Sequence, residues 1–140
     1  MKFRAELIKI NGKPNKNGRI YTEETLNEIE KNILIKNLVY YSLDENDFPD
    51  FTPKNIVGKI INVKREDNTF VVIGEFINNV SVNPIIEIIK DLKCLHLSIN
   101  GYGSYSTKDD KTIENYEYDS CSMILEPVFD VKPIELIEEL

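Results

Sequence analysis

Leu95-His96-Leu97-Ser98-Ile99-Asn100-Gly101-Tyr102-Gly103-Ser104 is the stretch on which the reading of this chain turns. Leu95, Leu97 and Ile99 alternate with His96 and Ser98, the period-2 pattern of a strand with one apolar and one polar face. Gly101 and Gly103 follow it. Tyr102–Thr107 and Thr112–Tyr118 then flank the polar turn Lys108-Asp109-Asp110-Lys111, which predicts a hairpin. Ser122–Leu125 reads as a last apolar strand that ends at Glu126-Pro127.

Working outward, Phe3, Ala5, Leu7 and Ile10 predict a first strand whose alternation slips near its end. Asn11-Gly12-Lys13-Pro14-Asn15-Lys16-Asn17-Gly18 is a run of turn formers and predicts an exposed loop or hairpin. Thr22, followed by Glu23 and Glu24, marks a helix start: the hydroxyl suits an orphan amide and the acids suit the positive end of the dipole. Leu26, Ile29, Ile33 and Leu34 continue it as a buried stripe to about Ile35. Leu38–Leu43 is β-like, and Asp44–Pro53 is an acidic loop. Ile56–Val63 and Phe70–Ile77 form a hairpin around Glu66-Asp67-Asn68. Asn83-Pro84 opens a second helix, apolar over much of its circumference and expected to be well buried. Phe129–Leu140 is acidic and fits a short helix or a docking tail. We expect one domain over residues 1–134 and an acidic C-terminal tail over 135–140. The fold class expected is α+β: a small, mostly antiparallel barrel or twisted sheet of about seven strands, with two main helices packed on it.

Composition narrows the function classes. The chain has 140 residues, 41% hydrophobic and 29% charged, which suits a globular domain. A net charge of −7 argues against nucleic acid as a partner, since phosphate contacts need clustered Lys and Arg. Lys13, Lys16 and Arg19 come nearest to such a cluster and read as a solvated loop. No apolar run approaches the roughly 20 residues of a membrane span, so no membrane is expected. One His with Cys94 and Cys121 cannot supply a four-ligand zinc set. Both cysteines read as small buried apolar side chains in a reducing compartment. Asp44, Glu45, Asp47 and Asp50 lack the glycine and spacing of a calcium loop and read as solvated. Neither a metal nor a cofactor is expected.

Four segments in order resemble the prohead maturation proteases of tailed phages: Asn15–Tyr21, Ile56–Ile60, Leu97–Ser104 and Met123–Pro127. That family shares its fold with the herpesvirus assemblins, a small barrel with helices around it. The resemblance implies a serine protease that digests the scaffold inside an immature capsid. It places the nucleophile at Ser98 and backbone amides for the oxyanion at Gly101 and Gly103. The family's histidine would fall in Tyr40–Asp44, where Tyr41 and Ser42 stand instead. Its third group would fall near Ser122 or Met123, neither of which can orient and charge-stabilise an imidazolium. The chain's one histidine, His96, lies two residues before Ser98 on the same strand face. A direct bond between them requires the imidazole to lean along the strand. The sequence leans away from an enzyme, toward a non-catalytic virion or capsid-assembly protein that binds a phage capsid or scaffold protein, with a homo-oligomer also open. Two alternatives stand beside it: an active maturation protease using Ser98, and a phage protein that binds a host factor or small ligand. The setting expected is the virion or the host cytoplasm.

Overall fold

A computed structural model describes residues 1–41, 53–80 and 82–137. Its strands are β1 (Lys2–Lys9), β2 (Leu38–Tyr41), β3 (Ile56–Glu66), β4 (Thr69–Phe76), β5 (His96–Tyr105), β6 (Ile113–Ile124) and β7 (Glu135–Ile137). The helices are α1 (Glu23–Asn32) and α2 (Val82–Leu92). All seven strands form one sheet in the order β5-β6-β2-β3-β4-β1-β7. Every pairing is antiparallel except β2 with β6. The result is α+β, a twisted open sheet with two helices; the closed barrel is not formed. The sheet nevertheless curls enough for β1 to touch β5.

The slip in the first strand has a physical origin. Glu6 pairs with Val71 and Ile8 with Phe70, so Leu7 is an extra residue in the ladder. This bulge lets the neighbours Leu7 and Ile8 both be buried. Phe3 points into the core and lies tilted on Phe76, ring centroids 4.9 Å apart. Its ring fills the space over Gly74 so closely that a β-carbon there would fall 2.6 Å from Phe3 Cε1. Asp67 turns the β3–β4 hairpin with a φ of 55°.

Helix α1 begins at Thr22 as expected, but the threonine hydroxyl makes no capping bond. The Thr22 carbonyl instead accepts from the amides of Thr25 and Leu26. The two first-turn acids are drawn to the sheet: Glu23 pairs with Arg65, and Glu24 Oε1 accepts from the Asn115 amide at 2.9 Å. The helix stops at Asn32, so Ile33 stays buried while Leu34 is exposed. Helix α2 is less buried than its composition suggests. Val82, Ile85 and Ile89 face the core, and Leu92 is exposed. Neither helix is long and apolar enough to cross a membrane.

Three further expectations are revised. The glycines do not divide β5, which runs through Gly101 and Gly103 to Tyr105, and β6 is likewise continuous to Ile124. Glu135–Ile137 is not helix; it docks on Lys2–Arg4 as an edge strand. Cys121 is buried as expected, whereas Cys94 is only half-buried. Ser42, Leu43, most of the acidic loop with its Asp44, Glu45, Asp47 and Asp50, and the last three residues of the tail lie outside the described residues.

Gly74→Ala is expected to destabilise the protein by about 1–3 kcal/mol through overpacking against Phe3. Adding Phe3→Leu should recover part of that loss in chemical denaturation. Wild-type stability of the single variant would refute the close packing described.

Candidate functional site

The site follows from strand register. Ser98 on β5 pairs with Ser122 on β6. Ser122 in turn pairs with Tyr40 on β2 through the parallel β2–β6 ladder. Residues opposite one another in a ladder share a face, with β-carbons about 5 Å apart. Ser98, Ser122 and Tyr40 therefore form a row across three strands. Ser122 is 1% exposed and Tyr40 9%, while Ser98 is half-buried.

One register step along, Asn100 pairs with Ser120 on the same face. Asn100 Nδ2 donates to Ser122 Oγ at 2.6 Å and to Ser120 Oγ at 3.1 Å. Ser120 Oγ in turn donates a hydrogen bond to Asp119 Oδ2 at 3.2 Å. Buried hydroxyls need such partners, because a lone buried polar group loses its water without compensation. Asn100 is thus the clasp of the site. Asp119 is its carboxylate, and it sits beyond Ser120 rather than beside Ser98. Asp119 is also an extra residue in the ladder, since Asn100 pairs with Ser120 and Gly101 already with Tyr118.

The residues singled out in the sequence are placed as follows. Ser98 and Ser122 are neighbours. Tyr41 pairs with Met123, not with Ser122, so alternation puts it on the opposite face. Burial, then the nearby Cys94, raises the pKa of its phenol above the ordinary value. Tyr40, the first residue of the stretch Tyr40–Asp44, is the β2 residue in the row, and Ser42 lies outside the described residues. His96 shares the face of Ser98, but its Nδ1 lies 3.2 Å from the Cys94 carbonyl. That contact engages one ring nitrogen with the backbone just before β5.

Gly101 and Gly103 have a packing role. A β-carbon at Gly101 would lie 2.7 Å from Tyr116 Cζ, and one at Gly103 would lie 2.6 Å from Ile113 Cγ2. Gly101 lets the buried Tyr116 side chain lie against β5, and Gly103 does the same for Ile113. Tyr118, also buried, shares a 3.0 Å hydrogen bond with Cys121 Sγ. Burial raises both phenols and pushes the Cys121 thiol up to about 12. These groups stay protonated at neutral pH.

The chemistry available is narrow. A serine nucleophile needs a base within hydrogen-bond reach. The row around Ser98 offers an amide, two serine hydroxyls and a phenol. None of these accepts a proton readily near pH 7. The described residues also bring together no group of three or more His, Cys, Asp or Glu side chains fit to hold a metal.

No protein-family model matches the sequence, and no curated protein does. Solved structures do resemble it. The bacteriophage T4 capsid assembly protease superposes with a TM-score of 0.64 at 14% identity, over 81% of this chain and 75% of that one. The Kaposi's sarcoma-associated herpesvirus protease, bound to a hexapeptide phosphonate inhibitor, gives 0.55 at 8% identity, over 97% of this chain. This chain spans 65% of the length of that herpesvirus protease. The chain has the fold of these viral proteases. At such identities the likeness concerns the fold alone, and the roles of individual side chains rest on the geometry above.

Asn100→Ala should cost about 1–3 kcal/mol, because it takes the amide donor from the buried Ser122 hydroxyl and leaves Ser120 with Asp119 alone. Ser120→Ala/Ser122→Ala in the same background should cost much less than the sum of the separate changes. Strict additivity in this double-mutant cycle would show that the amide does not hold the two serines.

Proposed function

We propose that this protein is a non-catalytic capsid-assembly component of a tailed phage, acting by protein–protein binding on a viral-protease fold. The observation that carries the reading is the row Ser98–Ser122–Tyr40. It brings together Ser98, Ser122 and Tyr40, which the sequence resemblance links to the nucleophile, the third group and the stretch of the missing histidine, and among the described residues the row offers Ser98 no strong base. The one imidazole in the chain is His96, whose Nδ1 is engaged by the Cys94 carbonyl. The capsid-assembly role of the T4 neighbour supports a capsid or scaffold protein as the partner and the virion or host cytoplasm as the setting.

The surface is consistent with binding. β5 is an edge strand, so alternate backbone amides along it face away from β6. Its outer half carries Tyr102 and Tyr105, both exposed. Tyrosines are frequent anchors in protein interfaces, and an exposed edge can accept an extended segment of a partner.

The test is co-expression with the cognate capsid and scaffold proteins, followed by sedimentation of the particles. The protein should co-sediment with proheads or mature heads, and Ser98→Ala should do so equally, with intact scaffold in both cases. Absence from both particles would overturn the binding role. Scaffold cleavage that Ser98→Ala abolishes would replace it with an active maturation protease.

A further inference from the structure

The loop that reads in sequence as a solvated basic stretch is built into a pocket. Lys9, Lys13, Lys16 and Arg19 line it together with Asn15, and Asp130 is the one acid there. The pocket holds about 150 Å³, enough for one small polar group and its water. Its walls come from the loop after β1 and from the segment after β6, which Lys16 joins by donating its amide to the Val128 carbonyl at 3.1 Å. Tyr21 and Phe129 form its apolar floor, rings 5.4 Å apart.

The loop is held from within. Asn15 Oδ1 accepts from the amides of Asn17 and Arg19, both at 3.0 Å. The Asn15 amide donates to the Arg19 carbonyl at 2.8 Å. This fixes the Asn15 side chain, yet its Nδ2 is buried and has no hydrogen-bond partner. A fixed, buried donor without an acceptor is costly, and a ligand oxygen would relieve it.

The charges tell the same story. The Arg19 guanidinium is held by neutral groups: its Nε donates to the Tyr105 hydroxyl at 3.3 Å. The Tyr105 and Tyr21 hydroxyls raise its pKa above the ordinary value. Among the described residues, none of the four cations is in an ion pair. Four positive groups thus gather around one pocket in a chain of net charge −7. The four cations favour a ligand of negative charge, the orphan amide needs an acceptor, and Asp130 is the one lining group of opposite sign.

We propose that this pocket binds a small oxyanion, a carboxylate or phosphate group, with Arg19 and the Asn15 amide as its fixed donors and Lys13 and Lys16 closing over it. The site is separate from the Ser98 row. Tyr105, which positions Arg19, lies seven residues along β5 from Ser98, roughly 23 Å at the rise of a strand. It does not depend on whether the chain is a protease.

The test is nitrogen–proton correlation spectroscopy of the full chain, titrated separately with inorganic phosphate and with glutarate. Saturable shifts should appear at the Asn15 side-chain amide and in residues 9–21 and 128–130, and added salt should weaken them. Lys13→Gln/Lys16→Gln alters only exposed side chains and should keep the fold while weakening binding by about tenfold or more. Arg19→Gln should weaken it further. Saturation by phosphate alone, by glutarate alone or by both supports the site and says which anion it reads. No saturation with either anion, or undiminished binding in the double-lysine variant, overturns it.

Discussion

The parallel pairing of β2 with β6 is the contact on which the arrangement depends. It consists of three residue pairs, Val39–Cys121, Tyr40–Ser122 and Tyr41–Met123. On one side of it lies the β5–β6 hairpin. On the other lie β3, β4, β1 and β7. Because the ladder is this short, its register is supported by what the side chains meet on each face. One face places Val39, Cys121 and Met123 in the core. A slip by a single residue would put Ser122 there and expel Met123. The same register brings Tyr40 into line with Ser122 and Ser98.

The polar face of this junction imposes its own demand. Two serines buried at the centre of a sheet must find partners, and Asn100 reaches both. A half-satisfied buried network would weaken the fold, so this one favours a connected set of hydrogen bonds that ends on the Asp119 carboxylate. Such a set stabilises a junction well and activates a hydroxyl poorly. It contains donors and weak acceptors, and the carboxylate it reaches lies at the end remote from Ser98. The fold is that of viral proteases.

Much of this was legible in the sequence because it is local. Alternation identified β5, the Asp67 turn identified the β3–β4 hairpin, and the Thr22-Glu23-Glu24 start identified α1. The motif around Ser98 pointed to the right fold, and the spacing to Pro127 pointed to Ser122 or Met123, of which Ser122 pairs with Ser98. What was missed depends on contacts between distant segments. The bulges at Leu7 and Asp119 exist because of their partner strands. Gly101 and Gly103 resemble breaks in a strand until Tyr116 is seen against them. Whether Tyr40 or Tyr41 faces Ser98 is decided by pairing with β6, which no local pattern reveals. The pairing of β7 with β1 joins opposite ends of the described chain, and a short acidic segment carries no local sign of it. A Ser120-Cys121-Ser122 alternation was the available hint that a second buried hydroxyl stood beside the expected one.

The central proposal is that Ser98 is an unactivated hydroxyl beside a hydrogen-bonded junction. Treating the folded protein with a fluorophosphonate, beside Ser98→Ala, and mapping adducts by mass spectrometry tests it most directly. The account predicts no labelling of Ser98 above that of an ordinary exposed serine. Stoichiometric labelling that disappears in Ser98→Ala would contradict it, because it would require a base that the row of neutral groups does not supply.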